Sequence, residues 1–211
     1  VFVPDMTAPV VLVFNIDALR QDHLGCYGYA LDTTPNIDAL ARDAVRLTGF
    51  TAPTSWTRPS VASLFTSTYP SVHGAVDRPD MLRENLPSLA LELASADIET
   101  HCFMTNRNCI PVWGFGEDFC RFRDADTANW VHSDDADVVN LTIETVEHAA
   151  GRPWYAYVHT MGPHEPYEPP EDFRARFTPD MYADRTDDPA QQEILALYDG
   201  EIAYTDQQFG R

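Results

Sequence analysis

The chain has 211 residues and a formal net charge of −19, because 33 acidic residues stand against 14 basic residues that are all Arg. So acidic a surface repels nucleic acid and anionic lipid, and we expect neither as a partner. The length fits a single α/β domain over residues 1–211, and an apolar fraction of 44% is enough for a core. No apolar run approaches the roughly 20 residues that a membrane-spanning helix needs.

The acidity has two open interpretations. One is adaptation to high salt, where screening relieves self-repulsion, and the other is an ordinary acidic cytosolic protein. The absence of Lys together with many Asp residues favours the first. No basic, apolar leader stands at the start of the chain, which predicts a cytoplasmic location. In that compartment free thiols are expected at Cys26, Cys102, Cys109 and Cys120.

The first predicted element is a strand over residues 10–16, an apolar run of strand length. Such a run predicts a strand buried on both faces, as in a parallel sheet. Asp17 follows directly, at the carboxyl end of the strand, where open α/β sheets bind their ligands. A turn or capping role for Asp17 is an equal alternative.

The remaining elements alternate between strands and helices. This alternation predicts an α/β fold with a mainly parallel sheet sandwiched between helices. Strands are predicted at 46–51, 99–105 and 154–158; helices at 35–45, 87–94, 134–149 and 190–211; and irregular segments at 18–29, 106–129 and 159–170. The last helix reaches Arg211 without a stop signal, so we expect the domain to be truncated at its C-terminal end.

Residues 51–74 contain a corner between a strand-like run and a helix. The run breaks at Pro53, and the helix restarts near Pro59, since proline is favourable in a first helical turn. Thr57 falls at this corner. Free backbone N–H groups and the positive end of the helix dipole make such a position a ready phosphate or sulfate site. The alternative is that Thr57 only caps the helix.

Three stretches resemble the sulfatase family of the alkaline-phosphatase superfamily, in family order and at family-like spacing. They are residues 11–29 with 33–50, residues 52–74, and residues 157–170 with 196–211. The resemblance implies an alkaline-phosphatase-like α/β fold and a sulfatase-like ester hydrolase that uses a divalent metal ion. By this resemblance Ca²⁺ is the first candidate, with Mn²⁺, Mg²⁺ and Zn²⁺ as alternatives. The implied substrate is an anionic ester, either a small molecule or a glycan.

The resemblance also assigns roles to two residues after the first predicted strand and at the corner. Asp17 matches the first carboxylate of the family's metal-binding Asp-Asp pair, while Ala18 stands where the second belongs. Thr57 matches the nucleophile, which in the family is a Cys or Ser in a Cys/Ser-x-Pro-Ser-Arg motif that is oxidised to formylglycine. Val61 replaces the arginine of that motif. A threonine is not expected to become formylglycine.

The other implied site residues lie at the ends of later elements. His164 matches the family histidine that contacts the ester or its leaving oxygen. We assign Arg58, His159 and Asn106 to substrate binding, although Asn106 stands where the family has a lysine and a histidine. The family's remaining metal ligands, an Asp-Asn or Asp-His pair, are expected beyond Arg211. Two acids of the last helix, Asp199 and Asp206, are expected to be solvated.

Three functions remain open at this point. The first is a metal-dependent hydrolase of sulfate or phosphate esters with Thr57 as nucleophile, because related branches use an unmodified Thr or Ser. The second is a transferase that moves a phospho or sulfo group onto a glycan or lipid. The third is a non-catalytic protein with the sulfatase fold, which Ala18 and Val61 favour.

Overall fold

The computed structural model describes residues 10–124, 134–149 and 151–211 of the chain. Within these residues four strands form one sheet in the order β1-β4-β2-β3. The strands are β1 (Val10–Ile16), β2 (Glu99–Met104), β3 (Arg121–Asp124) and β4 (Trp154–Thr160). The helices are α1 (Pro35–Ala41), α2 (Thr57–Thr66), α3 (Pro70–His73), α4 (Leu89–Ser95), α5 (Asp135–His148), α6 (Glu171–Arg174) and α7 (Pro189–Phe209). Short 3-10 helices occur at Gln21–His23, Gly25–Tyr27, Arg107–Cys109, Pro111–Trp113 and Pro179–Tyr182.

The sheet is built around β2, which pairs in parallel with both β3 and β4. In this register Cys102 stands between Phe122 and Tyr157. Five of the six residues of β2 and all seven of β4 are buried. A sheet of this kind confirms the predicted α/β class with mainly parallel strands.

The prediction that β1 is buried on both faces is wrong. Val10, Val11 and Leu12 are 43%, 47% and 49% exposed. The strand stands at the end of the sheet order and has β4 as its only neighbour among the described strands. An apolar run of strand length therefore identified the strand correctly but not its place in the sheet.

The sequence also misplaced one strand. Residues 46–51 form no strand, and Leu47 and Phe50 are 60% and 80% exposed. The strand that completes the sheet is instead β3, inside the segment predicted to be irregular. It was missed because four residues with three charges show no apolar period. Residues 125–129 of that predicted segment lie outside the described residues.

The described residues fall into two compact units. The first contains residues 10–15, 49–124, 140–149 and 151–159, and the second contains residues 16–48, 134–139 and 160–211. In the first unit the ring of Phe65 packs 4.8 Å from Tyr157 and 5.2 Å from Phe119. In the second, a smaller apolar cluster includes Phe177 and Tyr182. Among the described helices, none is long and apolar enough to cross a membrane.

Asp206 corrects one of the expectations from the sequence, because its carboxylate is 1% exposed rather than solvated. It accepts hydrogen bonds from the backbone N–H groups of Asn36 at 3.0 Å and Ile37 at 2.9 Å. These donors belong to the first turn of α1, which has no intrahelical partners for them. Asp206 on α7 therefore caps α1 from outside.

We expect the substitution Asp206→Ala to lower the free energy of unfolding of the full protein by about 2 kcal/mol, because it leaves the first turn of α1 uncapped. Denaturant titration measures this change. Gln207→Ala is the matched control, since the neighbouring side chain is exposed. Equal stability of the two variants would contradict the capping role.

Candidate active site

Thr57 is the first residue of α2 and is partly exposed. The capping position belongs to Trp56, whose backbone is extended and whose side chain makes no capping hydrogen bond. The indole N–H of Trp56 instead donates to the carbonyl of Val76 at 3.0 Å, which fixes the entry of the chain into the helix. The Thr57 hydroxyl therefore belongs to a residue at the amino end of a ten-residue helix, where the dipole favours negative charge.

Arg58 turns away from solvent and is 2% exposed. Its Nε donates to the carbonyl of Asn108 at 3.0 Å. Its Nη1 donates to the carbonyls of Asp80 at 2.9 Å and Asp77 at 3.3 Å, and also to that of Arg78. The guanidinium carbon lies 4.1 Å from the centre of the Trp113 ring.

This enclosure favours an anchoring role for Arg58 over the predicted substrate contact. Nε and Nη1 are both engaged by backbone carbonyls, and those carbonyls belong to two separate loops. Burial lowers the pKa of Arg58, and so does the nearby positive charge of Arg78. Nothing in the sequence indicates this role, because an Arg beside a candidate nucleophile in a phosphate- or sulfate-binding corner suggests an anion contact.

Asn106 and His159 lie after or at the carboxyl ends of the adjacent parallel strands β2 and β4, where such sheets bind ligands. Both are buried, at 2% and 0% exposure. The Asn106 side-chain oxygen accepts from the Asn108 N–H at 2.9 Å and caps the helix Arg107–Cys109. His159 Nδ1 lies 3.0 Å from the Tyr157 hydroxyl. Their substrate-binding roles stay predictions.

Asp17 lies in the second unit, directly after β1. Its backbone N–H donates to the carbonyl of Thr160 at 3.1 Å, so the ends of β1 and β4 are adjacent. The next residue, Ala18, has a left-handed backbone with φ of 57°. Tyr198 on α7 stabilises this turn, since its hydroxyl donates to the Ala18 carbonyl at 2.7 Å and accepts from the Arg20 N–H at 2.9 Å.

Asp199 corrects the second expectation of a solvated carboxylate, because its side chain is fully buried. It lies 2.6 Å from His23 Nδ1 and accepts from the hydroxyls of Tyr182 at 2.6 Å and of Tyr29. Burial and the bond to Asp199 raise the pKa of Tyr29 and of Tyr182. Asp199 therefore holds the segment that follows Asp17, through His23 and Tyr29.

His164 stands in a loop that one buried and one partly buried acid hold in place. The His164 N–H donates to the Met161 carbonyl, and its Nδ1 lies near the Glu165 carbonyl, both at 2.7 Å.

Asp135 on α5 accepts from the N–H of Met161 at 2.9 Å. Glu201 on α7 accepts from the N–H of Glu168 at 2.7 Å. The loop is thus fixed on both sides of His164, which itself is partly exposed.

The pKa of each of these two acids is raised. Burial raises the pKa of Asp135 to about 6, against opposing hydrogen bonds from Thr205 and the loop backbone. Burial raises that of Glu201 to about 7, with a further contribution from the charge of Asp135. The folded protein therefore binds protons at these positions near neutral pH.

Asp17 fits a metal ion only as a single ligand. Its carboxylate oxygens are the hard donors that Ca²⁺ and Mg²⁺ prefer. However, no group of three or more His, Cys, Asp and Glu side chains able to hold a metal occurs among residues 10–124, 134–149 and 151–211. Among the described residues Asp17 is therefore the one predicted metal ligand, and its role stays a prediction.

With this fold and these residues in view, comparison with known proteins identifies the class. Residues 9–211 match the sulfatase family, and the chain belongs to that family. Human arylsulfatase A is 46% identical over 61 residues, which cover 29% of this chain and 12% of that protein. The chain therefore spans a small fraction of this curated relative.

Solved structures show the same fold over most of the chain. The phosphonate monoester hydrolase of Agrobacterium radiobacter superposes with a TM-score of 0.80 at 21% identity, over 97% of this chain and 58% of that one. The protein BT4656, in complex with its substrate D-glucosamine-2-N,6-O-disulfate, superposes with a TM-score of 0.71 at 16% identity, over 85% and 38%. These likenesses confirm an alkaline-phosphatase-type α/β fold.

The raised pKa values of Asp135 and Glu201 predict a pH dependence of stability. The pKa values of both carboxyls are higher in the folded state than in the unfolded state. The two groups therefore stabilise the fold fully below about pH 4, and this stabilisation is lost as the pH rises through about 6 to 7. We expect the variant Asp135→Asn to lose less free energy of unfolding than the wild type between about pH 5 and 8. Denaturant titrations across this range measure the difference.

The control for this experiment is Asp137→Asn, which removes an exposed carboxylate from the same first turn of α5. It should keep the wild-type pH profile. Parallel profiles of wild type and Asp135→Asn would show that Asp135 is not protonated in this range.

The anchoring role of Arg58 predicts a stability effect. We expect Arg58→Gln to lower the free energy of unfolding by about 3 kcal/mol, since several carbonyls lose their donor. Arg121→Gln, which removes an exposed guanidinium from the same unit, should change it by less than about 0.5 kcal/mol. An Arg58→Gln protein of wild-type stability with a raised KM would instead support substrate binding.

Proposed function

We propose that the protein is a metal-dependent hydrolase of sulfate or phosphate esters in which Thr57 is the nucleophile. The observation that carries this proposal is the place of Thr57, partly exposed at the first position of α2 in a chain of the sulfatase family. The helix amino end favours an anionic group there without any further cation. Thr57 also occupies the position of the family nucleophile in the motif resemblance.

The chemistry of Thr57 differs from that of formylglycine. The Thr57 hydroxyl releases its proton to solvent as its Oγ attacks the sulfur or phosphorus, the bond to the leaving oxygen breaks, and a covalent Thr57 ester forms. His164 is the proposed proton donor to the leaving oxygen. Water then attacks the same sulfur or phosphorus and releases inorganic sulfate or phosphate, which regenerates the hydroxyl.

Asp17 is the proposed metal ligand of this chain. Its orientation depends on the turn at Ala18, which Tyr198 holds, and on the bond from its own N–H to Thr160. A divalent cation, with Ca²⁺ as first candidate, would lower the pKa of the nucleophile hydroxyl and neutralise charge on the reacting group. The family resemblance predicts further ligands for such a cation besides Asp17.

The proposed substrates are anionic esters, including glycan esters. BT4656, which shares the fold, binds a disulfated glucosamine. A strongly acidic protein attracts such a ligand only through local positive groups, so the substrate contacts are expected to be compact.

A non-catalytic protein with the sulfatase fold is the second candidate. Ala18 lacks the second metal carboxylate of the family, and Val61 lacks its motif arginine. The enclosed guanidinium of Arg58 does not replace that arginine, because backbone carbonyls occupy it. Metal binding and turnover decide between the two candidates.

We expect Thr57→Ala in the full protein to abolish turnover of an aryl sulfate or aryl phosphate assayed with a divalent metal. The residual rate should be lower by about 10³-fold or more, as for other lost nucleophiles. Ser55→Ala, at an exposed position two residues earlier, should retain the wild-type rate. Equal turnover by Thr57→Ala and wild type would remove Thr57 as the nucleophile.

We expect Asp17→Asn to weaken binding of Mn²⁺ or Ca²⁺ to the full protein by about tenfold or more, because a charged oxygen ligand is lost. Calorimetric titration measures this affinity. Asp22→Asn is the control, since Asp22 is exposed and pairs with Arg20. The absence of any divalent metal binding by the wild type would favour the non-catalytic candidate.

A further inference from the structure

An arginine-lined cleft lies beside the start of α2 in the first unit. We call it the arginine cleft: it has a volume of about 790 Å³ and is bounded by Arg58, Arg78, Arg107 and Trp113, with Ile110 and Val112 on its apolar side. No acidic side chain is among the described residues that line it. In a chain with only 14 basic residues and a net charge of −19, three arginines around one cleft are a strong local concentration of positive charge.

The buried Arg58 forms the back of the arginine cleft and fixes its two sides. Its Nη1 holds the backbone of the segment that carries Arg78, through the carbonyls of residues 77, 78 and 80. Its Nε holds the carbonyl of Asn108, next to Arg107. The indole N–H of Trp113 donates to the Arg107 carbonyl at 3.1 Å, which fixes that side further.

The charges of the arginine cleft are not neutralised by its own lining. The hydrogen-bond partners described for the Arg58 guanidinium are neutral carbonyls. The charge of Asp80 favours the charged form of Arg58, whereas the nearby charge of Arg78 disfavours it. Asp80 is the nearby acid, and its carboxylate accepts from the N–H groups of Asp77 at 2.8 Å and Val76 at 3.3 Å. Arg78 and Arg107 are both exposed. Like charges crowded in this way are stabilised by a bound anion.

We propose that the arginine cleft binds an anionic group of a sulfated saccharide, and that Arg78 and Arg107 are the groups that bind it. The planar guanidinium donors suit the oxygens of sulfate. Trp113, Ile110 and Val112 supply the apolar wall on which the body of a sugar ring packs.

This inference rests on the proposed function, because it makes the cleft a subsite of the same substrate. Arg58 directly follows the candidate nucleophile Thr57, and Arg107 directly follows the candidate substrate contact Asn106. In this proposal the reacting ester lies at Thr57, and a second anionic group of the same substrate lies at Arg78 and Arg107. The substrate class narrows to saccharides that carry at least two such groups.

The test uses the full protein with Thr57→Ala, so that bound saccharide is not consumed, and the probe D-glucosamine-2-N,6-O-disulfate. Calorimetry at fixed ionic strength gives its Kd in three further backgrounds, Arg78→Gln, Arg107→Gln and the control Arg121→Gln. We expect about tenfold weaker binding for each of the first two, since each loses a charge-assisted hydrogen bond, and less than about twofold change for the control. The midpoint of thermal unfolding confirms that these exposed substitutions leave the fold intact.

Two comparison ligands test whether the cleft binds the sulfated saccharide or any anion. Unsulfated glucosamine should bind much more weakly than the disulfate in the parent and should not respond to the Arg variants. Inorganic sulfate that bound as tightly as the saccharide, with the same dependence on Arg78 and Arg107, would show a general anion site and overturn the saccharide assignment. Equal Kd values in the parent and both Gln variants would overturn the subsite itself.

Turnover of a singly charged aryl sulfate by the protein with its native Thr57 is measured in parallel. Turnover without Arg-dependent binding of the disulfate overturns the subsite and leaves the hydrolase standing. Arg-dependent binding without turnover supports the subsite and counts against the hydrolase. The two proposals therefore fail separately.

Discussion

The buried guanidinium of Arg58 is the interaction on which the candidate site in the first unit depends. A charge that is 2% exposed is costly to desolvate, and here its described hydrogen bonds go to backbone carbonyls. These bonds join the first turn of α2 to the irregular segment at residues 77–80 and to the short 3-10 helix Arg107–Cys109. The start of the helix at Thr57 and the two segments beside it are consequently fixed by one side chain.

The neutral carbonyl partners of Arg58 affect the local charge differently from a carboxylate partner. A salt bridge would cancel the charge of Arg58, whereas carbonyl dipoles stabilise it and leave its net charge in place. Because Arg58 is buried, solvent screens its charge less than it screens a charge at the surface. The described hydrogen bonds therefore leave the charge of Arg58 in place, and the nearby Asp80 carboxylate favours its charged form.

The second unit uses acids for the same structural purpose. Asp199, Asp135 and Glu201 each accept hydrogen bonds from a segment that carries or follows a candidate site residue. Asp199 is hydrogen-bonded to His23, Tyr29 and Tyr182. Burial raises the pKa of Asp135 and of Glu201 towards neutrality. Thr57, Asp17 and His164 are each partly exposed, and buried or partly buried charged groups hold the segments around them.

The sequence predicted those parts of the fold that local patterns determine. An apolar run gave β1, and the apolar spacing and terminal signals gave α5 and α7 within a residue or two. The beginning of α2 near Thr57 followed from Pro59 and the turn residues before it. These features depend on neighbours within about one helical turn, so a single sequence contains them.

The sequence could not show contacts between distant residues. Asp199 and Asp206 look like solvated helix carboxylates, because their partners His23, Tyr29 and Asn36 lie about 170 positions earlier. Arg58 looks like a substrate contact for the same reason, since its carbonyl partners lie 19 to 50 positions later. A charged residue shows its type in the sequence, whereas its role depends on which groups the fold brings to it.

This chain departs from the family motif in where it places positive charge near the start of α2. Val61 removes a motif arginine, and its side chain is 4% exposed and packs in the apolar core of the first unit, so no cation is available at that position. Positive charge at the start of α2 comes instead from Arg58, which is fixed and enclosed, and from the exposed Arg78 and Arg107 on the loops that Arg58 holds. Exposed arginines on loops are free to contact a ligand that extends beyond the reacting group. This arrangement is the structural basis for the proposed recognition of a larger anionic substrate.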